Sequence, residues 1–136
     1  MFGLSWSWSK DRSFSSCRGQ FLYAYACTDE SFEQEAKALR RTTTPSMLAG
    51  GAVDYVISSA LMAFRDSGEI RQDLSKEGLG LLRAWWKASS ASAPHARRGV
   101  HSNGPLLLHH YLGLEDDPRQ VQEAEHRVEV CLKNFE

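Results

Sequence analysis

A chain of 136 residues with 42% hydrophobic content has the length of one domain and can bury one real core. Sixteen basic residues against seventeen acidic ones give a formal net charge of −1, so no overall field draws the chain to nucleic acid or to an anionic membrane. Cys17, Cys27 and Cys131 are odd in number, far apart and contain no CxxC pair, which argues against a disulfide framework or a cysteine-rich zinc site and predicts free, mostly buried thiols.

The opening MFGLSWSWSK lacks the basic flank and apolar run of a secretory signal, so a cytoplasmic protein is expected. Residues 2–8 alternate, with Phe2, Leu4, Trp6 and Trp8 on one side and Gly3, Ser5 and Ser7 on the other. QFLYAYAC alternates again, and the small, polar residues 9–20 separate the two runs. This period of two predicts an N-terminal two-stranded antiparallel hairpin over residues 2–27. A hairpin alone is marginal, so it must pack on helices or pair with another chain.

From Thr28 the signals turn helical. TDESFEQEAKALRR has possible caps at Thr28 or Ser31, acids early and bases late, and predicts a helix over about 30–41. Thr44 as cap and Pro45 at the first helical position open a second helix, about 45–66. It is apolar nearly all round except for a stripe of Gly51, Asp54, Ser58 and Arg65, and is expected to be the central, most enclosed helix. The run from Met47 to Phe64 is as long as a short membrane span, but a charge such as Asp54 at its centre would cost ~2.5–3.5 kcal/mol on insertion, so no membrane partner is expected.

A third helix is predicted over about 74–89, although Gly78 and Gly80 each cost ~1 kcal/mol against alanine. Leu79, Leu81, Leu82, Trp85 and Trp86 make its apolar face, with Lys76, Gly80, Arg83 and Lys87 opposite. Residues 90–104 carry serine, alanine, glycine, proline and charge without periodicity and are expected to be a mobile loop. PLLLHHYL predicts a short helix over 105–112. DPRQ, with Asp117 as cap and Pro118 at the first position, opens the last helix, about 118–135. Val121, Ala124, Val128, Cys131 and Phe135 form a coiled-coil-like seam on it, with Leu132 adjoining, and Glu123 with Arg127 and Glu129 with Lys133 support its outer face. The expectation is one α+β domain, mostly helical, with the hairpin packed on a four- to five-helix bundle.

Four of the five histidines, His95, His101, His109 and His110, fall within residues 95–110. Adjacent helical residues diverge by ~100°, so His109 and His110 are not expected to ligate one ion; helical metal pairs use i,i+3 or i,i+4 spacing. A solvated or hydrogen-bonded surface cluster, with no metal or other cofactor, is the expectation. The acidic run Glu115 to Asp117 is accounted for by helix capping and a charged helix start. No nucleophile motif and no phosphate-binding glycine pattern occurs, and no catalytic residue is assigned.

The chain is therefore expected to be a non-enzymatic inhibitor, immunity or antitoxin-type protein, or adaptor that occludes the surface of a protein partner. Its partner-binding residues would be Arg83, Lys87, Arg97, Arg98, His101, His109 and His110, with the hairpin edge or the C-terminal helix available for a homodimer. Two alternatives stand beside this. One is a nucleic-acid-binding regulator using the basic and aromatic 83–98 region; the other is a metal-dependent hydrolase using His101, His109 and a carboxylate.

Overall fold

The computed structural model describes residues 8–17, 30–100 and 103–135. The chain divides into residues Met1–Arg41 and Thr42–Glu136, and each unit is taken by itself. In the first, α1 spans Trp8–Ser16 and α2 spans Glu30–Arg41, with Arg40 and Arg41 in the last turn of α2. Helix α1 replaces the end of the first expected strand and much of the expected hairpin loop. No glycine or proline interrupts those nine residues, and Asp11 sits in the first turn, where it suits the helix dipole. The other strand positions of the hairpin, 2–7 and 21–27, lie outside the described residues.

The second unit holds β1 (Thr42–Thr43), α3 (Pro45–Ser67), α4 (Leu74–Arg97), β2 (Leu106–Leu107), α5 (Leu108–Tyr111) and α6 (Pro118–Phe135). The described sheet is parallel, not antiparallel: Thr42 pairs with Leu106 and Thr43 with Leu107. Two long helices separate the strands in sequence, and a crossover of that length returns the chain in the same direction. The protein is mostly helical with this small sheet.

Local signals set several boundaries as expected. The Thr44 hydroxyl accepts the Met47 N–H at 3.3 Å, with Pro45 opening α3. The Asp117 carboxylate accepts the Arg119 N–H at 2.9 Å, with Pro118 opening α6. On α6, Glu123 meets Arg127 at 3.7 Å and Glu129 meets Lys133 at 2.6 Å.

The centre of the unit is α4 rather than α3. Helix α4 packs against α3, α6, β2 and α5, burying Leu74, Gly78, Leu82, Trp86, Ser89, Ala93 and Ala96 along one stripe. It runs eight residues past its expected end, through Pro94 to Arg97, so the expected loop begins only after it. The residues that bury this last stretch are Ser89, Ala93 and Ala96, which are too small to register as an apolar period. Pro94 removes a single helical N–H near the end, where the loss is least disruptive.

Gly78 explains why glycine is present in the first turns of α4. A Cβ there would collide with Leu132 Cδ1 and stand 2.9 Å from Val128 Cγ1, so the bare backbone lets α6 approach. The core joins Leu48, Ala49, Ala52 and Val56 of α3 to Leu82 and Trp86 of α4, Leu107 of β2, and Ala124, Val128 and Leu132 of α6. Cys131 and Phe135, expected in the α6 seam, are exposed instead. The stripe runs 124, 128, 132, the straight four-residue spacing of a helix lying in a groove between two others. Cys17 is also free and exposed, against the expectation of buried thiols, and Cys27 lies outside the described residues.

Helix α3 departs furthest from expectation. It buries Leu48, Ala49, Ala52 and Val56 on α4 and α6, while Met47, Tyr55, Leu61, Met62 and Phe64 are each more than half exposed. It is long and apolar enough to cross a membrane by length and composition. An all-round apolar helix signals burial only if every side meets a partner, and among the described residues of the second unit α3 packs chiefly on α4 and α6.

Candidate functional site

The first turn after β2 assembles the densest polar cluster among the described residues. Pro105 lacks an N–H, and Leu106 and Leu107 are buried in β2 beside Thr42 and Thr43. The Leu107 N–H, which would otherwise be orphaned, reaches across to α4 and donates to Ser89 Oγ at 2.7 Å. This contact anchors the four-residue α5 against α4. The run PLLLHHYL is thus split between a strand and a single helical turn: Leu106 and Leu107 are buried in β2 while Leu108 is exposed, and three consecutive leucines carry no period that would mark the division.

His110 is buried, and its Nδ1 lies 2.8 Å from Ser89 Oγ while its Nε2 lies 2.8 Å from Asp116 Oδ1. His109 places its Nε2 2.8 Å from the same oxygen, and Trp86 Nε1–H donates to it at 2.9 Å. The two imidazole centroids are 4.2 Å apart, and that of Trp86 lies 5.6 Å from His109 and 6.1 Å from His110. Asp116 arrives from the irregular segment between α5 and α6. That segment turns at Gly113 with φ +73°, where the Arg97 guanidinium passes within 2.8 Å of the position a Cβ would take.

His109 and His110, expected from their ~100° divergence not to ligate one ion, nonetheless bring both Nε2 atoms to one carboxylate oxygen. The ~100° between neighbours fixes only the Cα–Cβ directions. Two further torsions carry each imidazole nitrogen well beyond Cβ, and α5 ends at Tyr111, so no following turn blocks the rings from leaning together. A carboxylate supplied by the next loop meets both. Asp116, read from sequence as part of a charged helix start, is the hub of the cluster, whereas Asp117 does cap α6 as expected.

Partial burial pushes the Asp116 carboxyl up, but hydrogen bonds from His109, Trp86 and His110, with the coulombic pull of His110, outweigh it and leave the carboxyl below the ordinary carboxylate value. A group depressed in the folded state stabilises the protein above its unfolded pKa of about 4 and loses that contribution as pH falls through the folded value. Urea unfolding at pH 7 and pH 3 should therefore show the native chain losing more stability than Asp116→Asn. The side chain is 46% exposed, so the difference is modest. Parallel losses in the two proteins would remove this role from Asp116.

Ser89, His110 and Asp116 are the residue types of a hydrolytic triad, but the order and access are wrong for one. The serine sits on Nδ1 and the carboxylate on Nε2, Ser89 is wholly buried, and its oxygen already accepts the Leu107 N–H. A substrate carbonyl has no path to that oxygen. The arrangement holds the imidazoles in place and leaves the outer side of Asp116 open, with His109 only slightly exposed beside it.

No protein-family model matches the chain, and no curated protein or solved structure matches it.

The other expected site residues are scattered. Arg83 and Lys87 are exposed on α4 opposite its buried stripe, and Arg83 Nε donates to Glu125 Oε1 of α6 at 2.7 Å. The Glu125 hydrogen bond and charge raise the Arg83 pKa further above its already high value. Arg97 and Arg98 are exposed at the end of α4, where Arg98 Nε donates to the Pro94 carbonyl at 3.3 Å. His95 is exposed in the last turn of α4, and His101 lies outside the described residues. Sequence reasoning missed Trp86 and Ser89 as members of the histidine cluster. For Trp86 a usable signal exists, since a buried indole N–H requires an acceptor and Asp116 is among the acids available to it. Ser89 carries no such signal.

Proposed function

We propose that this protein is a non-enzymatic binding module that covers an apolar surface of a protein partner with the outer face of α3. The observation that carries the reading is that Met47, Tyr55, Leu61 and Met62 stand exposed on one face of a folded helix. At 100° per residue these four fall within an arc of about 120°, with only Gly51, Asp54, Ser58 and Arg65 between them. The groove lined by Leu61, Phe64, Ile70, Leu74 and Phe135 continues that apolar surface past the end of α3. Exposed large apolar side chains on both flanks of a short polar stripe mark a contact surface whose partner must match both.

Charge selects the partner class. Arg65 is already paired with Asp66 at 2.7 Å, and Asp54, at the middle of the face, has no ion-pair partner among the described residues. A surface of that sign repels a phosphate backbone or an anionic bilayer and fits a protein that brings one base to Asp54 within an apolar patch. Arg83, the first residue of the nucleic-acid alternative, is occupied by Glu125, which weakens that reading.

The test combines capture from cytosol at high salt with variants of the tagged full chain. Leu61→Glu with Met62→Lys, and separately Asp54→Lys, should abolish or weaken by at least about tenfold the retention of one stoichiometric protein, with an unchanged melting temperature. Joint replacement of Arg83, Lys87, Arg97 and Arg98 by alanine should leave retention intact. Several outcomes would overturn the proposal: retention indifferent to the α3 variants, a fall in melting temperature that marks the face as internal, self-association through it, or α3-dependent binding to phosphatidylcholine vesicles. Nucleic acid released by salt and lost in the four-residue variant would move the function to the basic stripe.

A further inference from the structure

We propose that His109 Nε2, His110 Nε2 and an Asp116 carboxylate oxygen form a binding site for one zinc-class divalent cation, with its remaining coordination positions open to solvent. These ligand atoms all lie within 4.8 Å of one another, and each histidine nitrogen is 2.8 Å from Asp116 Oδ1. Among the described residues no other group of three such side chains converges in this way.

The surroundings hold the three ligand groups in place for a cation. Three nitrogens point at a single carboxylate oxygen, from Trp86, His109 and His110. Ser89 fixes which nitrogen of His110 is offered. Ser89 Oγ accepts the Leu107 N–H and holds His110 by Nδ1, which keeps Nε2 turned toward the site. Without a cation Nε2 bears the proton shared with Asp116, and a bound cation would take that proton's place. A histidine whose second nitrogen donates to a buried partner is the usual support for a metal ligand. Trp86 does the same for the carboxylate, holding Asp116 by an N–H that a cation does not displace.

Two imidazoles and one carboxylate suit zinc and its late first-row neighbours and are poor ligands for calcium or magnesium, which take oxygen. Bonds of ~2.0–2.1 Å at tetrahedral angles separate ligand atoms by ~3.3 Å, so the present 2.8 Å spacing must open by about half an ångström. Asp116 belongs to the irregular segment before α6 and is 46% exposed, so it can make that movement without disturbing the core.

Isothermal titration of the chelator-stripped full chain with zinc chloride should show one equivalent bound, and cobalt(II) substitution should give the visible absorption of a low-coordinate nitrogen–oxygen site. Asp116→Asn and His109→Gln should each weaken zinc by more than about tenfold, while His95→Gln and His126→Gln leave it unchanged. Circular dichroism confirms folding of each variant. Should Asp116→Asn fail to fold, His109→Gln decides, because its ring lies at the outer edge of the cluster. Absence of stoichiometric zinc binding, or binding that survives both variants, would overturn the proposal.

Discussion

Replacing Ser89 by alanine is expected to lower the unfolding free energy by about 2–4 kcal/mol, far more than an ordinary serine-to-alanine change. Ser89 is wholly buried, and its single oxygen serves two groups on other elements, the Leu107 N–H at 2.7 Å and His110 Nδ1 at 2.8 Å. Both would be left without a partner in a site closed to water, and each such loss costs about 1–3 kcal/mol. The contrast is Ser92, one turn on, whose hydroxyl donates to the Ser89 carbonyl at 3.2 Å from a partly buried position. Ser92→Ala should cost less than about 0.5 kcal/mol, as for most substitutions of that kind. Urea unfolding of the two variants reads the difference. Equal midpoints would mean that the hydroxyl does not anchor α5 to α4.

The second large effect is expected at Gly78. Valine there would drive its Cβ into Leu132 Cδ1 and against Val128 Cγ1 at 2.9 Å, and both neighbours are wholly buried with nowhere to move. Overpacking of a closed core costs about 1–3 kcal/mol, and a β-branched side chain at a helix–helix contact belongs at the upper end. Gly78→Val should therefore lose about 3 kcal/mol. Gly80, two residues later, has nothing within 4 Å of its missing Cβ. Gly80→Ala should raise stability by up to about 1 kcal/mol, because alanine orders the helix at a smaller entropic cost. Two glycines of the same helix thus respond with opposite sign. Thermal unfolding of Gly78→Val and Gly80→Ala that shifts the same way would contradict the close approach of α6 to α4.

These cases mark where sequence and structure part. Gly78 and Gly80 look alike in sequence, each a helix weakener of ~1 kcal/mol. Only the arrival of α6 from fifty residues away makes one of them a requirement. Ser89 looks like the last residue of its helix, because the serines and alanines around it carry no hydrophobic period. Its burial follows from β2 and α5 folding back over it. His109 and His110 were legible as a dense cluster but misread in direction, because a helical wheel ends at Cβ and ignores the torsions that let two rings lean on one carboxylate.

By itself the sequence determined the mostly helical character, the starts of α3 and α6, the end of α2 at Arg41, the i,i+4 ion pairs of α6 and the buried identities of Leu82, Trp86, Ala124 and Val128. All of these depend on residues within a few positions of one another, where capping groups, proline and the period of 3.6 act directly. Tertiary structure alone decided that the two short strands run parallel, that α4 rather than α3 is the centre, and that Asp116 joins Trp86, His109 and His110. Each of these turns on which elements meet. An apolar run states only that it prefers to be covered, whereas the coverage itself depends on partners distant in the chain. For the outer face of α3, those partners are not found among the described residues of the second unit.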